Sequence, residues 1–201
     1  MEAKKPSPNY DIDWGFEARS IGADYTRDYW AWWNASFAYR NQINVTGGLE
    51  VLYNFTVFLN VTYDSDMQAD FDDVRFVLGN CSDAQTEELY YELDYKINSN
   101  YAGFWVKFPT LTNGINTVCM YYGNAVVASV SDGINSWDDD YIVVMHLSED
   151  SGSFLKNSKD RNASWMKITG TPNWMWGIYG KALNLSTIAG VNQSAKSTDN
   201  S

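Results

Sequence analysis

Histidine, cysteine and clustered basic residues are scarce in this sequence, and each scarcity argues against a class of function. The 201 residues include one histidine, two cysteines, and 14 lysines and arginines against 25 acidic residues, for a formal charge of −11. These counts exclude a His/Cys zinc site, and a Ser-His-Asp triad would have to use His146 without a Gly-x-Ser-x-Gly elbow. Scattered lysines and arginines argue against binding to nucleic acid or to anionic membranes.

Long apolar runs and helical periodicity are also missing. No run approaches the roughly 20 residues of a membrane span, so the chain is expected to have none. Residues 1–6 lack the apolar core of a signal peptide, so any export signal is expected to have been removed or to lie outside this numbering. No segment of helical length shows a period of 3.6 residues, which argues against a helical fold.

Short apolar segments separated by turn residues are what the sequence does contain. Aromatic residues make up 16% of the chain, as in β-rich extracellular modules. Six such segments predict an all-β fold, an antiparallel β-sandwich of jelly-roll or immunoglobulin-like type. The predicted strands are 37–45, 51–63, 74–78, 89–97, 103–108 and 116–122.

Two of these segments alternate between apolar and polar residues, which predicts one buried and one solvated face. In 51–63 the odd positions are apolar, so Asn54 and Asn60 are expected on the outer face. In 88–97 the outer face is predicted to be acidic and solvated. Its predicted inner residues are Leu89, Tyr91, Leu93, Tyr95 and Ile97, and its outer residues are Glu88, Glu92, Asp94 and Lys96.

Composition changes along the chain predict three parts. Residues 1–28 are polar and irregular and read as an N-terminal arm. Residues 29–135 carry the predicted sandwich. Residues 136–201 hold a predicted strand at 141–147, a polar loop at 148–161, two Trp-rich segments at 165–168 and 174–185, and a polar tail. This last part is too short to close its own core, so an incomplete second β unit is expected.

Acceptor triplets for N-glycosylation are more frequent than chance placement would give. Eight Asn-x-Ser/Thr triplets occur, none with Pro in the middle, which predicts a glycosylated, extracellular or cell-surface protein. The alternative is an unmodified surface rich in Asn and Thr. The triplets begin at Asn34, Asn44, Asn54, Asn60, Asn80, Asn162, Asn184 and Asn192.

Cys81 and Cys119 are the only cysteines. Two cysteines are too few for a disulfide scaffold but enough for one bridge. The sequence leaves a disulfide and two unpaired thiols equally open.

Several short motifs, taken in order, resemble a known family. They are Trp33 with Tyr39-Arg40, Phe71-Asp72-Asp73-Val74-Arg75-Phe76, Leu89-Tyr90-Tyr91-Glu92, Phe104-Trp105-Val106-Lys107 with Pro109 and Leu111, Met120-Tyr121-Tyr122-Gly123-Asn124 and Ser131-Asp132-Gly133. Over roughly 33–133 the chain resembles domain of unknown function 2341, a family of secreted and surface proteins of archaea and bacteria. The resemblance implies that a concanavalin-like, laminin-G-type jelly roll follows, opening with 145–149 and 180–183. The resemblance implies a secreted or surface location, but it implies no biochemical activity because the function of the family is unnamed.

Acidic pairs and loops offer two possible chemistries. Glu92 and Asp94 share a strand face at the spacing of a glycosidase pair, but a solvated face is the prediction because nothing encloses them. His146 is expected to be a hydrogen-bonded polar group at a strand edge. The acidic residues 138–140, 149 and 150 and the 64–73 loop supply oxygen ligands of the kind calcium uses, without EF-hand spacing. No cofactor is predicted, and calcium is left open.

The tryptophans offer a third possible chemistry, which is sugar binding. The groups Trp30, Trp32, Trp33 and Trp165, Trp174, Trp176 could stack on sugar rings, but edge-sealing or core packing is the preferred interpretation.

These observations predict a non-enzymatic, N-glycosylated structural or adhesion protein of the cell surface. One form of it is a filament subunit that assembles by strand addition, because an incomplete sandwich exposes pairing edges. The expected partners are further copies of the chain or other surface proteins, with glycans as a further option. The alternative function is a carbohydrate-binding module of a glycan-active secreted protein.

Overall fold

The computed structural model describes residues 3–4, 32–83, 87–149, 151–160, 166–169, 173–177, 181–184 and 194–197. Within these ranges the protein is all-β, which confirms the predicted class. Its strands are β1 (Ala3–Lys4), β2 (Tyr39–Gly47), β3 (Leu52–Thr62), β4 (Arg75–Leu78), β5 (Tyr91–Ile97), β6 (Tyr101–Leu111), β7 (Gly114–Tyr122), β8 (Phe154–Leu155), β9 (Met166–Thr169), β10 (Asn173–Trp176), β11 (Lys181–Asn184) and β12 (Ser194–Ser197). One short helix, α1 (Gly133–Ser136), follows β7.

Two antiparallel sheets form the sandwich, as predicted. The first has the order β1-β2-β7-β4 and the second the order β3-β6-β5. All six predicted strands exist, with ends shifted by up to three residues. Each sheet combines strands distant in the chain, since β2 pairs with β7 and β3 with β6 over nearly their whole lengths.

The core lies between the two sheets. On β6, every second residue from Ala102 to Phe108 is fully buried, as expected for a strand that faces another sheet. The opposite sheet contributes Phe76 and Val118, and Phe76 meets Phe104 edge to face at 5.3 Å. Buried aromatic rings therefore hold the sheets together, because each removes a large apolar area from water.

A second cluster packs on the outer face of the first sheet. Trp32 and Trp33 lie against the ring of Tyr121, with centroid distances of 5.5 and 5.6 Å. The guanidinium of Arg40 stacks over Trp32 at 4.3 Å, and Phe37 fills the space beneath. These two tryptophans seal the sheet, as the preferred interpretation predicted, whereas Trp30 lies outside the described residues.

The Phe-Asp-Asp-Val-Arg-Phe motif has a structural role. The carboxylate of Asp73 is fully buried and accepts hydrogen bonds from the backbone N–H groups of Gln68, Gly123 and Asn124, at 3.0, 2.7 and 3.1 Å. A buried charge needs such donors to offset its lost hydration. Gly123 has φ of +81°, and a Cβ there would lie 2.5 Å from the Tyr39 ring, so this contact requires glycine.

Three sequence expectations fail, two because strands change face. In β3, Leu52 packs against the core while Tyr53 is exposed, opposite to the predicted alternation. The cause is Asn54, whose φ of +50° interrupts the extended backbone and shifts which residues face inward. In β5, a register shift between Leu93 and Tyr95 has the same effect, so Tyr95 pairs with Gly103 and shares its outer face.

The third failure is the strand predicted at 141–147, which does not form. Its backbone is held by a side chain instead, because the N–H of Val144 donates to Oδ1 of Asn157 at 2.9 Å. Leu147 has φ of +57°, which a regular strand does not allow. Asn157 Nδ2 also donates to the carbonyl of Ile142, so this asparagine replaces a neighbouring strand.

Cys81 and Cys119 form a disulfide that ties the loop after β4 to the centre of β7. The bridge spans 38 residues and, in the chain-entropy view, contributes roughly 3 to 4 kcal/mol. Beyond α1, β8, β9 and β12 form a three-stranded sheet, and β10 pairs with β11. The predicted limits of the three parts of the chain, and the jelly roll after the sandwich, stay predictions.

Candidate functional site

A largely buried cluster of polar and aromatic side chains lies on the outer face of β5 and β6. We call it the Glu92 cluster; its members are Glu92, Asp94, Trp105, Trp137, His146 and Ser158. Glu92 pairs directly with Trp105 in the ladder, so both side chains project from the same face. The bulge after Leu93 brings Asp94 to that face too, where its Oδ2 accepts from Trp105 Nε1 at 3.0 Å.

The segment after β7 covers this face. The helix α1 begins after Asp132, whose side chain caps it by accepting from Asn135 N. Thr56 Oγ1 on β3 donates to the carbonyl of Ser136 at 2.6 Å, which holds the helix on the sheet. A Cβ on Gly133 would lie 3.0 Å from Glu92 Oε1, so the helix approaches the carboxylate as closely as glycine permits.

Glu92 is held by three hydrogen bonds. Its Oε2 accepts from Trp137 Nε1 at 2.7 Å and lies 3.0 Å from His146 Nε2, while its Oε1 accepts from Ser158 Oγ at 2.5 Å. Burial by itself would raise the pKa of Glu92, but the hydrogen bonds from His146, Ser158 and Trp137 outweigh it and lower the pKa below its usual 4.5.

His146 bridges the two carboxylates. Its Nδ1 lies 3.5 Å from Asp94 Oδ2, and its ring stacks on Trp105 at 5.7 Å. Burial would lower the pKa of His146, but Glu92, Asp94 and Glu149 together raise it above 6.5. His146 therefore carries a positive charge more readily than a free histidine would.

The structure corrects two expectations for this cluster. Glu92 and Asp94 were predicted on a solvated face, but their side chains are only 14% and 12% exposed. The reason is that residues 133–149 and 151–158 cover the sheet. His146 is hydrogen-bonded as predicted, but it belongs to no strand in the described part of the chain.

The hydrogen bonds of Glu92 run within the cluster. In the described residues Ser158 donates to Glu92, and His146 Nε2 lies against the same carboxylate, so the three do not form the relay of a serine hydrolase. Both oxygens of Glu92 are engaged inside the protein. Asp94 Oδ1 is the exception, since it is buried without a hydrogen-bond partner in the described residues.

A shallow cleft of about 190 Å³ opens beside this cluster. Asp94, Ser148 and residues 95–97 line one side, and Trp176 and Lys181 of the β10–β11 hairpin line the other. Trp176 is 63% exposed as a residue, and the Lys181 ammonium lies 3.9 Å from the centroid of its ring. Of the predicted sugar-stacking tryptophans, Trp176 is thus the one that the structure shows exposed, whereas Trp165 lies outside the described residues.

The sequon asparagines lie at the surface wherever the structure describes them. Asn34, Asn44, Asn54 and Asn60 are exposed, and Asn80 and Asn184 are half-buried. Asn34 and Asn80 each form the same kind of turn. In both turns the side-chain oxygen of the asparagine accepts from the N–H and the hydroxyl of the serine two residues later. Asn162 and Asn192 lie outside the described ranges.

Across the described ranges, no group of three or more His, Cys, Asp or Glu side chains is arranged to hold a metal ion. No helix there is long and apolar enough to cross a membrane.

Sequence reasoning missed Trp137 and Ser158. They lie 45 and 66 residues from Glu92 in the chain, and only the docking of α1 brings them together. For Trp137 the sole signal was its position between the Ser-Asp-Gly motif and the aspartates at 138–140, and no sequence signal marked Ser158.

A family match agrees with the predicted resemblance. Residues 70–167 match the family described as Domain of unknown function (DUF2341). The match begins later than the predicted 33–133 and extends through α1 and the Glu92 cluster, so those contacts lie inside the matched residues. No curated protein and no solved structure matches the chain.

Proposed function

We propose that the protein is a non-enzymatic, N-glycosylated structural or adhesion module of the cell surface or extracellular space. The observation that carries the proposal is the bridge between its only two cysteines, Cys81 and Cys119. Disulfides persist in oxidising compartments and are rare in the cytosol of most organisms. N-glycosylation takes place on exported chains, so exposed sequons fit the same setting.

The sequons support the proposal through their positions. Asn44, Asn54 and Asn60 lie on β2 and β3 with exposed side chains, where a glycan could extend into solvent. A bulky glycan on a buried asparagine would unfold the sandwich, so exposure is a requirement that these sites meet.

A structural role fits the hydrogen bonds of Glu92. Its carboxylate on β5 contacts Trp137, His146 and Ser158, which all belong to the segment that covers the sheet, so these contacts attach that segment to the sandwich. Calcium is not part of the proposal, because the described acidic residues form no group suited to it.

Assembly with further copies would use the edge of β2. The short strand β1 pairs with it antiparallel, Ala3 opposite Arg40 and Lys4 opposite Tyr39, and this pairing supports strand addition at the same edge. From Asn41 to Gly47 no described strand lies on that side. A groove of about 390 Å³ between β2 and β3, lined by Ile43, Val61 and Met120 among others, would receive side chains of an added strand.

Mass spectrometry on protein isolated from its native source tests the proposal. Peptide mapping is expected to show Cys81 linked to Cys119 and sugar on several of the eight asparagines. Electron microscopy on the same sample is expected to show assemblies. Bare, reduced polypeptide in monomeric form would refute the proposal.

A carbohydrate-binding module is the second candidate, and the exposed face of Trp176 beside the cleft favours it. Calorimetry against a panel of soluble oligosaccharides tests this function, with Trp176→Ala as the variant and Trp174→Ala as a control on the same strand. Binding that only Trp176→Ala abolishes would support it, and absence of binding by the native protein would remove it.

A further inference from the structure

β3 carries an uncovered apolar surface at the edge of its sheet. It is the outermost strand of the order β3-β6-β5, and no described strand pairs with its other side. Tyr53 and Phe55 in its first half are 71% and 41% exposed, and Val51 is exposed beside them. A long, apolar edge strand is a template for unwanted pairing with other chains, so proteins normally cover or block it.

The other edge of the same sheet is covered by the chain itself. On β5, the carbonyl of Tyr91 accepts from the N–H of Asp132 at 2.8 Å, and the N–H of Leu93 donates to Ser131 Oγ at 2.8 Å. The segment after β7 thus closes the β5 edge, and β3 is left as the exposed one in the described structure.

Asn54 lies in the middle of the exposed part of β3. It falls between the paired residues Tyr53 and Phe55, opposite Pro109, which has no N–H to donate to a ladder. Its φ of +50° is a conformation that asparagine tolerates better than most residues. The side chain is exposed, and Thr56 completes an acceptor triplet.

We infer that an N-linked glycan on Asn54 packs against the rings of Tyr53 and Phe55 and shields the open edge of β3. The inference rests on the proposed function, since it requires a glycosylated protein. Sugar rings present C–H groups with a slight positive charge, and aromatic faces are slightly negative, so the two stack favourably. An aromatic residue on each side of the asparagine gives the first sugars apolar surface on whichever side they settle.

Asn60 provides a natural contrast on the same strand. Its side chain is exposed too, but its neighbours Leu59 and Val61 are buried in the core. A glycan on Asn60 therefore has no exposed apolar neighbour in sequence to cover, and its removal should leave the local surface unchanged in character.

The timing of the modification also follows from the structure. Thr56 is 8% exposed, and its hydroxyl donates to the carbonyl of Ser136. The triplet needs this hydroxyl, so the enzyme that glycosylates Asn54 must act before α1 docks on β3. Thr56 serves first as part of the acceptor and afterwards as the anchor of the helix.

The test compares glycoproteins secreted from a host that attaches N-glycans. Asn54→Gly removes the acceptor while keeping a residue that adopts positive φ, and Asn60→Gln is the matched control. Loss of the Asn54 glycan is expected to lower the thermal midpoint by about 2 to 4 °C, the size of one aromatic contact in a protein of this length. Binding of an apolar dye and the rate of self-association are expected to rise.

A combined Tyr53→Ser and Phe55→Ser variant completes the cycle. In that background, Asn54→Gly is expected to change neither the midpoint nor dye binding, because the contact is already gone. Equal effects of Asn54→Gly and Asn60→Gln would overturn the inference, as would a bare Asn54 beside glycosylated Asn44 and Asn60. The proposed function would survive both results, whereas sugar on none of the asparagines would refute both proposals.

Discussion

Nε2 of His146 lies 3.0 Å from Oε2 of Glu92, and this contact joins the sandwich to the segment that covers it. The two residues are 54 positions apart in the chain, so the contact forms only in the folded protein. Both side chains are mostly buried, at 13% and 14% exposure. Removing His146 would leave the Glu92 carboxylate without its charged partner and with little access to water.

His146→Ala is therefore expected to destabilise the protein by about 3 kcal/mol, the usual cost of breaking a buried ion pair. The measurement is the free energy of unfolding in urea at pH 6. Glu92→Gln is the comparison, because it removes the charge but keeps an amide that can still accept from Trp137. It should cost less than His146→Ala, and equal small effects would mean that the contact contributes little.

Stability should also depend on pH in a defined way. The raised pKa of His146 means that its contribution is complete below the usual 6.5 and is lost as pH rises through the folded value. The lowered pKa of Glu92 means that its contribution is present above the usual 4.5 and is lost as pH falls through the folded value. The two contributions coincide between pH 4.5 and 6.5, where the unfolding free energy should be greatest.

The alkaline part of this profile can be assigned to a single residue. His146 is the only histidine in the sequence, so the fall in stability that accompanies its deprotonation above pH 6.5 should disappear in His146→Phe, which keeps a ring to stack on Trp105. Urea unfolding at pH values from 5 to 9 measures it. A profile that is the same in both proteins would show that His146 does not contribute through its charge.

The sequence predicted the sandwich better than it predicted the site. Short apolar segments between turn residues located all six main strands, and in two of them the alternation of apolar residues also predicted a buried face. The errors lie where the alternation breaks, at Asn54 and after Leu93. Such irregularities change the backbone conformation without a characteristic pattern of side chains, so the sequence does not reveal them.

The Glu92 cluster could not be foreseen for a different reason. Alternation correctly placed Glu92 on the outer face of its strand, but that outer face was predicted to be exposed to solvent. Whether a face meets water depends on what packs over it, and here Trp137 and His146 arrive from a later part of the chain. Such contacts follow from tertiary packing, which local pattern does not encode.

The disulfide gives a prediction about stability. Reduction, or the double substitution Cys81→Ala with Cys119→Ala, is expected to cost about 3 kcal/mol, because an open loop gains conformational freedom when unfolded. Urea unfolding with and without a reducing agent measures the difference in the native protein. The double variant should not respond to the reducing agent, and a response there would show that reduction acts elsewhere.

Gly103 on β6 is expected to be intolerant of any side chain. A Cβ at this position would lie 2.7 Å from the ring of Tyr95 and 2.8 Å from that of Phe58, which stack over the glycine at 6.2 Å from each other. Gly103→Ala should therefore displace these rings and destabilise the protein by about 1 to 3 kcal/mol, as overpacking does. Gly48→Ala is the control, because nothing lies within 4 Å of the added carbon. Thermal unfolding of the two variants measures the contrast, and equal midpoints would mean that the aromatic pair moves aside without cost.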